Sequence, residues 1–243
     1  MCEKITSLSQ FMEHVEAFPS DFSLSRGQSK DYELLPSALR LDLGTRKYSK
    51  RAVNCFLNNF KINSHQYMTS PWDVKNEIEW MLHAQHYGIP TRLMDFTSSH
   101  ITSLLFAVEK AFSDADETDA VVYFLNPEAL NNNNIQQSKI ITEYDNSNFN
   151  ESDGPIVIKA RKINPRVNAQ HGVFVLFQDD DKPLETTEGI LIKLVIDGSK
   201  KKNILSSLHS IGINFTHIYP ELSSVAKDIV IQQDIRDFLR EDI

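Results

Sequence analysis

Apolar residues recur at helical spacing near the start of the chain, where Leu8, Phe11, Met12, Val15 and Phe18 share a face, Ser7 or Ser9 is available as an N-cap and Pro19 ends the run. Ala52, Val53, Phe56, Leu57 and Phe60 predict a second helix over 46–60. A third is expected over 73–86, because Val74, Ile78, Met81 and Leu82 lie on one face and Gly88 with Pro90 stops it. The fourth starts at Ser98 or Ser99 and carries Ile101, Leu104, Leu105, Val108 and Phe112. On this reading 88–97 connects two buried helices, and DFSLSRGQ is an extended piece that feeds a turn at Gly27. The pattern then changes. AVVYFL, GPIVIKA, HGVFVLF and GILIKLVI are short, rich in Val, Ile and Phe, and separated by turn residues, which predicts strands. The Asn-, Gln- and Ser-rich stretch 131–153 reads as an exposed insertion. Ile204, Leu205, Leu208 and Ile211 predict a helix and THIY a short strand. Pro220 opens a last helix containing Leu222, Val225, Ala226 and Ile229. Helices concentrated in the first half and strands in the second predict an α+β fold: a helical N-terminal half packed on a small, mostly antiparallel sheet, in one domain spanning 1–243.

A chain of 243 residues can bury its own core without staples, and Cys2 and Cys55 form neither a disulfide framework nor a metal-ligand spacing. The formal net charge of -8 disfavours indiscriminate attraction to phosphate backbones or anionic lipid. Lys159, Arg161, Lys162 and Arg166, and the run Lys200, Lys201, Lys202, are the local exceptions and read as solvated faces. No apolar run approaches the roughly 20 residues of a membrane span, so the expectation is a cytoplasmic protein with no membrane partner.

Chemistry concentrates in AQHYGIPTRLMDFTSS, residues 84–99, where His86, Tyr87, Thr91, Arg92, Asp95, Thr97 and Ser98 crowd a short connector. One reading is structural: Arg92 pairs with Asp95, Thr97 or Ser98 caps the next helix, and His86 sits at a helix C-terminus. The other is a binding site. Upstream, Arg26 offers a charged planar fork that fits carboxylate or pyrophosphate, and Gly27 would let a ligand approach the backbone. There is no GxGxxG, GxxxxGK[ST] or HExxH, which removes support for Rossmann, P-loop and zincin chemistry. His83 and His86 share a helix face, but the histidines form no convincing metal set, and no metal is expected.

Taken in order, SRGQSKDYELLPSALR, AQHYGIPTRLMDFTSSHITSLLFAV, QHGVFVLF and GINFTHIYPELSSVAKDI resemble the FRG-domain family, found mostly in bacteria and their phages, over about 21–230. Two positions depart from the family pattern: Ser25 stands where the name-giving aromatic would be, and Phe96 replaces a central Trp. By analogy the resemblance extends to divergent ADP-ribosyltransferases of the arginine-serine-glutamate type. It then implies an ADP-ribosyltransferase-like fold, NAD as substrate, and a macromolecular acceptor, protein or nucleic acid. It further implies a toxin or phage-defence effector with an antitoxin or regulatory partner. In that scheme Arg26, His86 and Glu221 are catalytic, with Arg26 the pyrophosphate clamp and Glu221 the late acid. Gly27, Gln28, Tyr87, Arg92, Asp95, Thr97 and Gln170 hold the dinucleotide, Asp95 orienting Arg92. The rival readings are a non-catalytic nucleotide- or partner-binding module, and a buried polar network that only fixes the fold.

Overall fold

A computed structural model describes residues 4–113, 117–142, 152–161, 165–180, 182–185 and 188–241. In chain order the elements are α1 (Leu8–Ala17), β1 (Leu24–Gln28), β2 (Leu41–Asp42), β3 (Thr45–Arg46), α2 (Lys50–Ser64), α3 (Glu77–His86), β4 (Leu93–Thr97), α4 (His100–Val108), β5 (Ala120–Leu125), α5 (Pro127–Ile135), β6 (Ile156–Ile158), α6 (Pro165–Ala169), β7 (Gly172–Leu176), β8 (Leu191–Ile196), α7 (Lys201–Ser210), α8 (Phe215–Ile218) and α9 (Leu222–Glu241). Six strands form one sheet in the order β6-β7-β4-β1-β5-β8, and every neighbouring pair is antiparallel. The fold is α+β, as expected. The expected segregation is not: β1 and β4, from the N-terminal half, are the middle of the sheet.

Side-chain caps set the helix boundaries. Ser7 accepts from the Gln10 amide and Ser49 from the Ala52 amide, so α2 begins at Lys50 rather than at 46, where Arg46 still belongs to the β2–β3 hairpin. Asn76 caps α3 through the Glu79 amide, which starts the helix at Glu77, with a 3₁₀ turn over Pro71–Asp73 before it. THIY is not a strand. Asn214 caps the His217 amide while the Asp228 carboxylate takes the Phe215 and Thr216 amides, and these local bonds make α8 helical despite its β-favouring composition. Anchoring through Asp228 also rotates α9. Its buried positions include Ser224, Asp228, Ile231 and Ile235, whereas Leu222, Val225, Ala226 and Ile229, the apolar residues that marked this helix, are exposed.

Two central features differ from the pattern-based expectation. Residues 93–97 are not a connector but β4, paired with β7 from Leu93↔Leu176 to Thr97↔Gly172. Gly27 is not in a turn but inside β1, opposite Val122 of β5. A Cβ on Gly27 would lie 1.8 Å from the Ser103 carbonyl oxygen and 2.9 Å from the Ala107 amide nitrogen, so this glycine lets α4 press directly on the strand. Helix α4 then buries Leu104, Leu105, Ala107 and Val108 against Phe11, Val122, Phe124, Leu205 and Phe215. A second cluster on the same face joins α3 to β6 and β7 through Ile78, Met81, Leu82, Phe174 and Leu176. The opposite face is closed by Leu34, Leu35 and Leu39 over Met94, Phe96, Val121 and Val175.

The predicted insertion is partly core. Asn131 ends up fully buried on α5, where its Nδ2 donates to the Lys139 and Val157 carbonyls (2.7 and 3.0 Å) and its Oδ1 accepts from the Val157 amide (2.6 Å). These bonds hold the edge strand β6. Residues 143–151, together with Lys162 and Cys2, lie outside the described residues. Asn131→Ala strips the buried Val157 amide of its acceptor, while the Val157 carbonyl keeps the Ile141 amide, and is expected to lower unfolding free energy by about 2 kcal/mol in urea titration. A loss below about 0.5 kcal/mol would return this residue to the role of loop filler. The lysine run is likewise not one solvated face: Lys201 is buried, and Lys202 lies over the Phe112 and Phe238 rings. Among the described residues no helix is long and apolar enough to cross a membrane.

Candidate functional site

The sheet is imperfect at its centre. β1 pairs with β5 along all five of its residues, but with β4 only at Ser25↔Thr97. Beyond that rung the strands part, and a cavity of about 820 Å³ occupies the seam. It is lined from both faces of the sheet: Leu35, Arg40 and Leu41 on one, Gln85, His86, Phe106, Glu109, Arg166 and Tyr219 on the other. A seam left unpaired inside a sheet forgoes ladder hydrogen bonds, and the volume falls in the range of ligand sites.

The Arg26 side chain crosses the seam, its Nη1 donating to the Asp95 carbonyl at 2.7 Å. Burial pushes its guanidinium below the ordinary value, Asp95 draws it back up, and Arg40 adds like charge. The Asp95 carboxylate is aimed by a relay of side chains: Thr91 Oγ1 donates to Gln85 Oε1, and Gln85 Nε2 donates to both Asp95 carboxylate oxygens at 2.8 Å. Among the described residues, three polar atoms belonging to residues that line this cavity are shut away from solvent without a hydrogen-bond partner: Arg26 Nε, Gln28 Oε1 and Gln170 Nε2. Each is a desolvated donor or acceptor whose burial opposes folding.

The wall beneath α4 carries an acid. Glu109 stands at the C-terminal end of that helix, where burial pushes its carboxyl above the ordinary range. Lys227 (3.9 Å) and a hydrogen bond from Tyr219 Oη (3.3 Å) pull it part of the way back. Arg166 stacks on the Tyr219 ring at 4.6 Å. Tyr219 is itself shifted upward by burial and by the Glu109 charge, so it stays a donor. His86 faces the same space. Burial, then Arg166, lowers its pKa, against the opposing charge of Glu221, and the imidazole is neutral near pH 7.

Of the residues singled out in the sequence, Arg26, Gly27, Gln28, His86, Asp95, Thr97 and Gln170 reach this one cavity from three separate segments. Gly27 does so by backbone only, since the space a side chain would fill belongs to α4. The Thr97 hydroxyl is committed: it donates to the Gln170 carbonyl (2.6 Å) and accepts from the Ser99 amide (2.9 Å). Tyr87, Arg92 and Glu221 do not line the cavity. Arg92 neither pairs with Asp95 nor is oriented by it. The two are three residues apart entering a strand, hence on opposite faces, and Arg92 lies 3.9 Å from Asp179 instead. Glu221 is exposed and accepts from the Ser223 hydroxyl. Tyr87 is exposed and packs on the His86 ring. At the departing position of the motif, Ser25 is fully buried and bonds His100 Nδ1 and Ser103 Oγ, both at 2.8 Å, while the His100 ring packs on Phe124. A polar contact there replaces an aromatic one.

Pattern reading missed Gln85, Glu109, Arg166 and Tyr219. Glu109 carried a signal, because a carboxylate at a helix C-terminus opposes the macrodipole and needs another reason to be there. Arg166 stood in a basic run read as solvated, and Tyr219 stood beside the more conspicuous Glu221. Comparison with curated proteins and with solved structures yields no match to this chain. A family model does match, over residues 23–116, which include β1, α3, β4 and α4 but stop short of the two later motifs. The matching model is that of the FRG domain, and it supports the family resemblance for that segment of the chain.

Proposed function

We propose that the seam cavity binds NAD and transfers its ADP-ribose to a macromolecular acceptor. The observation that carries this reading is the convergence of Arg26, Gln28, His86, Asp95 and Gln170, from three separate segments, on one cavity of about 820 Å³. A ligand that fits this lining must offer both acceptors and donors, because it meets the cations Arg26, Arg40, Lys110 and Arg166 as well as the carboxylates of Asp31, Glu33, Asp95 and Glu109. A dinucleotide with a diphosphate, hydroxyl-bearing riboses and a carboxamide meets that description. In the reaction the bond between ribose C1′ and the nicotinamide nitrogen breaks, its electron pair leaving with nicotinamide. The acceptor's nucleophilic atom then bonds C1′ and gives up its proton. The fork of Arg26 anchors the diphosphate. Glu109, rather than Glu221, is the acid assigned to accept the proton, its raised pKa placing it closer to neutral pH, and Tyr219 holds it in line.

Release of nicotinamide from NAD, followed with protein and nucleic-acid acceptors present, tests this assignment. Glu109→Gln is expected to cut release by about 100-fold or more while raising the unfolding midpoint at neutral pH. The sign follows from the shift. A carboxyl whose folded value lies above its unfolded value favours folding only while protonated. That contribution is present below the ordinary glutamate pKa and is lost as pH rises through the folded value, so an uncharged amide relieves it. No release with any acceptor, with NAD bound intact in calorimetry, would instead leave a nucleotide-binding module.

A further inference from the structure

The cavity holds a second arginine beside the Arg26 fork. Arg40 lines it from the Leu35 side, close enough to Arg26 to oppose its charge. Asp95 offsets part of the Arg26 charge, whereas no described carboxylate comes within ion-pair distance of the Arg40 guanidinium. Two like charges facing one space are relieved by an anion that meets both. The rest of the lining shows what charge that anion should carry. Four cations, Arg26, Arg40, Lys110 and Arg166, stand against four carboxylates, Asp31, Glu33, Asp95 and Glu109. Two of those carboxylates are already answered by lysines outside the lining: Lys193 bonds Asp31, which also accepts from Tyr123 Oη (2.9 Å), and Lys227 lies 3.9 Å from Glu109. The balance is two positive charges, which matches a diphosphate diester better than a neutral or singly charged ligand.

Arg40 is also the root of the β2–β3 hairpin. Its carbonyl accepts from the Lys47 amide (3.1 Å), closing the base of the hairpin, and Leu41, the next residue, lines the cavity as well. The hairpin stands apart from the six-stranded sheet and has two rungs of its own, Leu41↔Arg46 and Asp42↔Thr45. A ribbon so short is marginal alone, and the exposed contact of Arg46 with Asp180 (4.0 Å) ties it weakly. Its tip is unfavourable in water on two counts. Leu43 is wholly exposed, and it holds φ +48° beside Gly44 at +79°, a left-handed pair in which asparagine or glycine is the ordinary choice. Folding the hairpin down onto a flat ring in the cavity mouth would bury Leu43, together with the half-exposed Leu41.

We propose that Arg40 is the second prong of the diphosphate clamp, meeting the phosphate that Arg26 does not, and that the β2–β3 hairpin it carries closes over the bound dinucleotide with Leu41 and Leu43 against a base. This clamp deepens the reading of the cavity as an NAD site and rests on it. It can nevertheless be measured with ADP, a diphosphate that donates no ADP-ribose.

The test is calorimetry of the full chain and its variants with NAD, ADP and AMP, paired with hydrogen–deuterium exchange over residues 41–47. Arg40→Gln is expected to weaken NAD and ADP about 10-fold and AMP much less, because a single phosphate can stay on Arg26. Arg40→Lys should recover part of the loss. NAD and ADP should slow exchange in the hairpin of the wild-type chain but not in Arg40→Gln. Leu43→Gly, which suits the left-handed backbone, should leave the melting temperature nearly unchanged and weaken NAD about 5-fold. Unchanged NAD and ADP affinity in Arg40→Gln, an equal loss for AMP, or hairpin exchange indifferent to both ligands would overturn the proposal. Binding of ADP that depends on Arg40 and slows hairpin exchange, in a protein that binds no NAD, would uphold the clamp and remove the donor reading. Failure of all three ligands to bind would remove both.

Discussion

Gly27→Ala is expected to uncouple α4 from the sheet and to lower unfolding free energy by about 3 kcal/mol or more. The added methyl would sit 1.8 Å from the Ser103 carbonyl oxygen and 2.9 Å from the Ala107 amide nitrogen, both backbone atoms of a helix that cannot rotate out of the way like a side chain. Relief requires α4 to lift, which breaks the buried bonds from Ser25 to Ser103 and His100 and opens the cluster around Leu104, Leu105 and Phe124. Denaturant titration reads the effect directly. The alternative, that Gly27 exists to admit a ligand, makes the opposite forecast: normal stability with lost NAD affinity. A change smaller than about 1 kcal/mol would therefore sink the packing account.

Arg26→Ala should abolish NAD affinity and turnover by about 100-fold yet leave the fold largely intact. In the folded chain its guanidinium makes one direct hydrogen bond among the described contacts, to the Asp95 carbonyl, while Nε is buried without a partner and desolvation works against the charge. Such a group contributes little to stability, and on the proposed reading its fork is there for the diphosphate. Arg26→Lys separates the possibilities, because it keeps the charge and loses the planar fork. Paired measurements of melting temperature and NAD affinity on the two variants decide the matter. Lost stability with affinity intact in Arg26→Lys would identify a seam tie and nothing more.

The elements most legible in the sequence were those buried on both faces. β5 reads as a continuous apolar run because each of its six residues is buried between the α4 cluster and the cluster of the Leu34–Leu39 segment. β4 was hidden for the opposite reason. Its sequence, LMDFT, turns Asp95 and Thr97 toward a polar cavity, so the face that would have alternated apolar with polar instead carries functional groups. The same cause hid Gly27, whose usual meaning as a turn residue was overridden by a helix pressing on a strand. Arg26, Gln28, His86, Asp95 and Gln170 were found because polar residues with several hydrogen-bonding groups are conspicuous between apolar runs. Arg92 and Asp95 could have been separated by counting, since strand positions an odd number apart cannot share a face. Glu221 attracted attention through its place in YPEL, while Tyr219, two residues earlier, is the group that reaches the cavity. Nothing local in the sequence distinguishes the two. Only the packing of α8 against α9, set by Asp228, decides which one turns inward.

The single rung that joins β1 to β4 leaves a seam whose two lips both lie in one stretch of the chain. The matched family segment, 23–116, contains both lips of the seam and with them Arg26, Gln28, His86, Asp95 and Glu109, whereas Arg166, Gln170 and Tyr219 come from the chain beyond it. The cavity therefore straddles the boundary of the matched segment, with the lips of the seam inside it and the Arg166, Gln170 and Tyr219 wall outside it.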